Sequence, residues 1–131
     1  MREILPEAPD IPIQIAHLAG WGGYDEATDE VVAAFAEAIA RKDPRAKNLY
    51  FDITTVVFGG HSAQLRQRIA SRIRHLGLRR VLFGSDQADP LGEWTRLLRF
   101  LPLTRGEFKI IAGNVTPYLR PTRAQTDRAS G

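Results

Sequence analysis

Val81-Leu82-Phe83-Gly84-Ser85-Asp86, with Asp89-Pro90 close behind, is the stretch that decides the fold. Three consecutive apolar residues are too few for a helix and suit a strand covered on both faces. Gly84-Ser85-Asp86 turns the chain out of that strand. Asp89 can cap a helix, and Pro90 suits its first position, where a backbone N–H would go unpaired anyway. The order is strand, polar turn, helix start: one βα unit.

Upstream, the same order recurs twice. Asn48–Ile53 (NLYFDI) reads as a strand. A loop with Gly59-Gly60 leads to Ser62 as a cap, then to an apolar stripe at Leu65, Ile69 and Ile73. Gly77 stops that helix. Further back, Ile11, Ile13 and Ile15 alternate with Pro12, Gln14 and Ala16, predicting a strand that ends at His17. A glycine-rich loop follows, Leu18 to Ala27. Thr28 is the expected cap of the next helix, with Asp29 and Glu30 in its first turn and an apolar face of Val31, Phe35 and Ile39. Asp43-Pro44 is expected to end it.

Downstream, Leu91, Trp94, Leu97, Leu98 and Leu101 predict the buried face of the third helix, stopped by Pro102. Thr104 and Glu107 have capping-box spacing, so a further helix runs to about Gly113. A last short helix could hold Val115, Tyr118 and Leu119. The polar stretch from Arg120 reads as a disordered tail.

Strand starts near residues 12, 48 and 81 leave room for a helical crossover between each pair, which makes the strands parallel. The fold class is α/β, fitting either an open doubly wound sheet or part of a barrel. A complete (β/α)₈ TIM barrel takes about 250 residues, and these 131 supply about half.

Composition removes several function classes. Hydrophobic residues make up 44% and charged residues 25%, an ordinary globular balance. No apolar run is long enough to span a membrane. The opening MREILPEAPD lacks the apolar core of a signal peptide, so the cytoplasm is the default location. With no cysteine there are neither disulfides nor thiolate metal ligands. The net charge of +3 is too small to argue for a nucleic-acid partner. Arg66, Arg68, Arg72, Arg74, Arg79 and Arg80 fall largely on the solvated side of the second helix. No dinucleotide fingerprint, Walker sequence or Gly-x-Ser-x-Gly elbow occurs.

Ligands of parallel α/β folds bind at the carboxyl ends of the strands. That rule selects His17, the loop after Ile53, and Asp86. A histidine there can shuttle a proton or bind a metal; an aspartate can ligate a metal or take a proton from water. The competing structural reading has Asp86 capping a turn and His17 bonded to backbone. Parity adds that His17 continues the column of Ile13 and Ile15, and Asp86 that of Leu82 and Gly84, each as an inward column of a barrel. Trp21, Gly22, Gly23 and Tyr24 follow His17 and are candidates to shape a substrate pocket. His61 could reach the same rim. His75, in a last helical turn, reads as structural. Asp52 is placed either in the pocket or in a structural hydrogen bond.

These motifs resemble, in order, the last strands of the amidohydrolase-related (amidohydrolase-2) family. Ile15-Ala16-His17-Leu18-Ala19-Gly20 is similar to its strand-6 histidine motif, Asn48–Ile53 to its seventh strand, and Val81–Asp86 to its eighth. Ile111-Ala112-Gly113-Asn114 is similar to the step into its last helix. The likeness covers roughly residues 10–119. It implies that residues 1–119 are the C-terminal part of a barrel, about three βα units plus C-terminal helices, with 120–131 as a tail. It also implies a metal-dependent hydrolase of an ester, lactone or amide, or a related decarboxylase. By this likeness Asp86 and His17 would be the catalytic and metal-binding residues; Trp21, Tyr24 and His61 stand as substrate-contact candidates on their loop positions alone, and His61 matches no motif of the family. The implied cofactor is a divalent metal such as zinc, which lowers the pKa of bound water from about 16 to about 7.

The chain departs from the family in having no His-x-His; its three histidines are His17, His61 and His75. Strands 1 to 5 have no counterpart, Met1–Glu7 reading at most as a remnant of a preceding helix. Two ligands fall short of the three usual in catalytic zinc sites, so weak metal binding is expected. Three readings follow: a hydrolase half, a non-catalytic half-barrel that pairs with a copy of itself or with a missing N-terminal half, and a small open-sheet binding domain. The expected partner is a small molecule, without nucleic acid or membrane.

Overall fold

The computed structural model describes residues 10–21, 23–84, 86 and 89–115. Over these it is a mixed α/β structure with three parallel strands and four α-helices. The strands are β1 (Ile13–Ile15), β2 (Leu49–Asp52) and β3 (Val81–Leu82); the helices are α1 (Glu26–Ala40), α2 (Ala63–Leu76), α3 (Pro90–Phe100) and α4 (Arg105–Gly113). Sheet order follows chain order, β1-β2-β3. Each expected βα unit is present. No described helix is long and apolar enough to cross a membrane. The expected helix through Tyr118 and Leu119, the tail 120–131 and Met1–Glu7 lie outside the described residues.

Local chemistry explains most boundaries. Ser62 accepts from Leu65 N, and Asp89 from Leu91 N and Gly92 N. Thr104 and Glu107 exchange both capping-box bonds. Gly77, at φ 93, closes α2.

Helix α1 begins earlier than its sequence suggests. Asp25, not Thr28, is the cap, and Thr28 donates its backbone N–H to it. Of the expected apolar face Phe35 and Ile39 do pack inward, joined by Val32, Ala36 and Ala38, while Val31 is turned to solvent. Its end also precedes Asp43-Pro44: Lys42 takes φ 56, and Asp43 caps a separate short turn, Pro44–Ala46. In α3 the inward residues are Trp94, Leu97 and the capping Leu101, while Leu91 and Leu98 are exposed.

Cross-strand register assigns the two faces. Ile13 pairs with Leu49, Ile15 with Phe51, and Phe51 with Val81. Phe51 meets Phe35 of α1 edge-on at 5.4 Å, and Phe83, one step past β3, meets Trp94 of α3 at 5.0 Å. This face is covered by helices and carries the core. The other carries Gln14, Tyr50, Asp52 and Leu82. His17 and Asp86 therefore do not continue columns on one shared face of the sheet: Ile13 and Ile15 face the helices, whereas Leu82 faces the opposite way.

The arginines of α2 and its C-terminal side are clamps more than a free stripe. Arg72 forms a two-bond pair with Asp29 of α1, and Arg74 does the same with Glu107 of α4. Arg80 donates to the carbonyls of Ala46, Lys47 and Leu49.

Candidate functional site

His17 reaches the site because the chain reverses handedness immediately after β1. His17, Leu18 and Ala19 have φ of 51, 50 and 66. A left-handed conformation costs a non-glycine residue of order 1 kcal/mol or more. Two contacts offset that cost. Leu18 is fully buried in the core, and full burial of a leucine side chain contributes about 2 kcal/mol. The backbone N–H of His17 donates to Asp52 Oδ1 at 3.0 Å.

Asp52 ties the strand ends together. Its Oδ1 also accepts from Thr54 N at 3.2 Å, and its Oδ2 from Gln14 Nε2 at 3.1 Å. The structural role considered for it from sequence is thus realised, and it stands directly beneath the imidazole, 3.8 Å from His17 Nδ1.

The imidazole is oriented by the loop after β2. Nδ1 lies 3.0 Å from the Thr54 carbonyl oxygen and 3.3 Å from Thr55 Oγ1. A carbonyl oxygen only accepts, so Nδ1 carries the proton of the neutral ring and donates it to Thr54. The lone pair of Nε2 then faces outward. Asp86 Oδ2 stands 3.8 Å from it, beyond a direct hydrogen bond and short enough for a water or substrate atom to bridge.

Thr55 is held in turn by Glu93. Its backbone N–H, in a residue at φ 55, donates to Glu93 Oε1 at 2.9 Å. Glu93 Oε2 accepts from Arg96 at 2.6 Å, which compensates a carboxylate with no side-chain exposure. Glu93 fixes the loop that fixes His17. Its sequence context gives little sign of this, since a glutamate in a helix's first turn ordinarily faces water.

Two glycines allow the close approaches. A Cβ on Gly84 would sit 2.7 Å from Thr54 Oγ1, and one on Gly20 would sit 2.4 Å from the Gly23 carbonyl oxygen. Gly84 lets β3 run alongside Thr54, and Gly20 lets the loop after His17 fold back on itself.

Above this frame opens a cleft of about 380 Å³, lined by His17, Gly20, Trp21, Thr55, Phe58 and Asp86. Trp21 is fully exposed at its mouth. Thr55 and Phe58 line it from the loop after Ile53, the loop that the strand-end rule selects, and Gly20 from the loop after His17. Tyr24 does not line the cleft: it is buried, and its hydroxyl donates to Asp29 at 2.8 Å. Burial pushes its phenol well above the usual range, and the bond to the Asp29 carboxylate adds to the shift. Arg72 chiefly holds that carboxylate below its ordinary value. His61 is also outside the lining. Its Nδ1 accepts from Phe58 N at 3.4 Å, and its ring stands edge-on to Phe58 at 5.6 Å.

His17 Nε2 and Asp86 Oδ2 are two lone-pair-bearing atoms that face each other across the cleft at 3.8 Å. Among the described residues no group of three histidines, cysteines or carboxylates converges to hold a metal ion. The pair therefore does not amount to a catalytic zinc site with three protein ligands. Asp52 lies on the Nδ1 side of the ring, away from the gap between Nε2 and Asp86, with both oxygens engaged by the frame.

Comparison with protein-family models, with curated proteins and with solved structures finds no match.

Proposed function

We propose that the chain is a hydrolase of the amidohydrolase-related type, acting on an ester, lactone or amide, with its three βα units forming the C-terminal part of a barrel. The observation that carries this reading is the His17 ring, anchored through Nδ1 to Thr54 with Nε2 turned across an open cleft toward Asp86. A neutral nitrogen and a carboxylate both accept, so together they favour a proton-bearing group between them.

Water fits that role. Asp86 accepts one of its hydrogens and orients it, and Nε2 removes the other as oxygen attacks the acyl carbon. The new carbon–oxygen bond gives a tetrahedral centre. Its collapse breaks the bond to the leaving alcohol or amine, which takes the proton back from Nε2. Thr54 keeps the ring in one tautomer throughout, and Asp86 stabilises the transient imidazolium.

Hydrolysis of phenyl acetate by the purified chain tests the reading. His17→Ala is expected to lower kcat/KM at least 100-fold, the low end for loss of a positioned base. An unchanged rate in His17→Ala, with the fold intact by circular dichroism, would remove the proposal.

A second reading has the chain pairing with another polypeptide. It is favoured by β1 and β3, which each have one partner strand and one unpaired edge among the described residues. A monomeric mass in sedimentation, unchanged with concentration, would exclude self-pairing.

A further inference from the structure

The geometry points to a substrate class for this cleft: a planar aromatic acyl compound that carries no negative charge, such as an aryl ester or anilide. The inference rests on the hydrolytic reading for the acyl group, while its ring and charge preferences stand on separate observations.

The first observation is Trp21. Tryptophan is highly buried on average, yet this one is fully exposed at the mouth of the cleft. Its place there is not accidental to the loop. Gly20 beside it is packed against the Gly23 carbonyl, and Tyr24 just beyond is anchored in the core through Asp29, which Arg72 holds from α2. Gly20 on one side of Trp21 and Tyr24 beyond it are thus both anchored. Phe58 lines the same cleft. The exposed indole offers a flat ring offset-stacked or edge-to-face contacts and attracts cations, while Phe58, its ring already packed by Arg96 and His61, adds an apolar wall.

The second observation is charge. Asp86 is the charged side chain in the lining, and no lysine or arginine joins it among the described residues. Arg96 comes near, stacked 5.5 Å over the Phe58 ring, but its guanidinium is committed to Glu93 at 2.6 Å. A substrate carboxylate would meet Asp86 with nothing to neutralise it, and like charges at close range repel. The same repulsion disfavours decarboxylation, whose substrate must bring a carboxylate to the reacting end.

The test is an NMR titration of the full chain labelled with ¹⁵N, following the indole N–H of Trp21, assigned by its loss in Trp21→Phe. Acetanilide, phenyltrimethylammonium and benzoate serve as neutral, cationic and anionic probes. The first two are expected to give saturable shifts, with benzoate binding at least tenfold more weakly. In Trp21→Ala, followed instead through the backbone amide of Thr55 in the cleft wall, acetanilide should bind at least fivefold more weakly. Asp86→Asn should shrink the gap between phenyltrimethylammonium and benzoate to under threefold. Benzoate binding as tightly as acetanilide, or no saturable shift with any probe, overturns the inference. The expected ranking in a chain that leaves phenyl acetate intact supports the ring and charge preferences and counts against hydrolysis alone.

Discussion

Two carboxylates flank His17 at the same distance, 3.8 Å, and differ in almost every other respect. Asp52 lies beneath the ring, its side chain 9% exposed, with three hydrogen bonds from Gln14, His17 and Thr54. Asp86 lies above it, 59% exposed, on a residue at φ 45. Separation from the imidazole therefore says little about role. What separates the two is how much hydrogen-bonding capacity each has already committed. Asp52 spends its oxygens on the frame; Asp86 presents its oxygens to the cleft.

The sharpest way to break this contrast is Asp52→Ala. It strands the buried N–H groups of His17 and Thr54 and releases the left-handed turn. Unpaired buried donors cost about 1–3 kcal/mol each, so a loss of about 4 kcal/mol is expected in chemical denaturation. A change under 1 kcal/mol would show that Asp52 is not the frame. Asp86→Ala should do the reverse, changing stability by less than about 0.5 kcal/mol while lowering phenyl acetate turnover about 100-fold, near 3 kcal/mol in the barrier. Equal losses of stability in the two variants would erase the distinction.

Gly84→Ala probes the boundary between the two regions. The added methyl collides with the buried Thr54 Oγ1, and overpacking of this kind costs about 1–3 kcal/mol. The melting temperature should fall, and the His17 side-chain resonances should move as Thr54 shifts. The smallest effect lies far from both carboxylates. Hydrogen bonding to Arg74, then to the backbone at Thr104, lowers Glu107 to about 2. A depressed carboxylate stabilises the fold above its ordinary value and loses that contribution as pH falls through the folded value. The acid branch of stability should therefore steepen between about 4.5 and 2, and Glu107→Gln should flatten it in melts recorded across that window.

The parts legible in the sequence are those decided by neighbours in the chain. Ser62, Asp89 and the Thr104–Glu107 pair are caps whose partners lie within three residues, and Gly77 stops a helix on its own account. The order of three βα units follows from such signals. Helix α1 shows how little displaces a local reading. Asp25 and Thr28 are both capping residues and the chain uses Asp25; on the apolar face Val32 rather than Val31 is the residue that tertiary packing turns inward. His17 and Asp86 are legible because they follow apolar runs at strand ends, but a shared sheet face is not what brings them together. Ile15 and Leu82 face opposite ways, and only the turn at His17 brings the two side chains together. Glu93 and Thr55 were illegible because their roles exist only once α3 lies against the loop after β2.

That turn makes the imidazole's aim a product of the whole fold. The amide that fixes it is paired across 35 positions of chain, so it should exchange its hydrogen with solvent only as slowly as the entire sheet opens. A short peptide spanning β1 and its loop would carry the same histidine with no preferred direction. Chemical competence at this site should therefore appear late in refolding, together with β1–β2 docking, and never ahead of it.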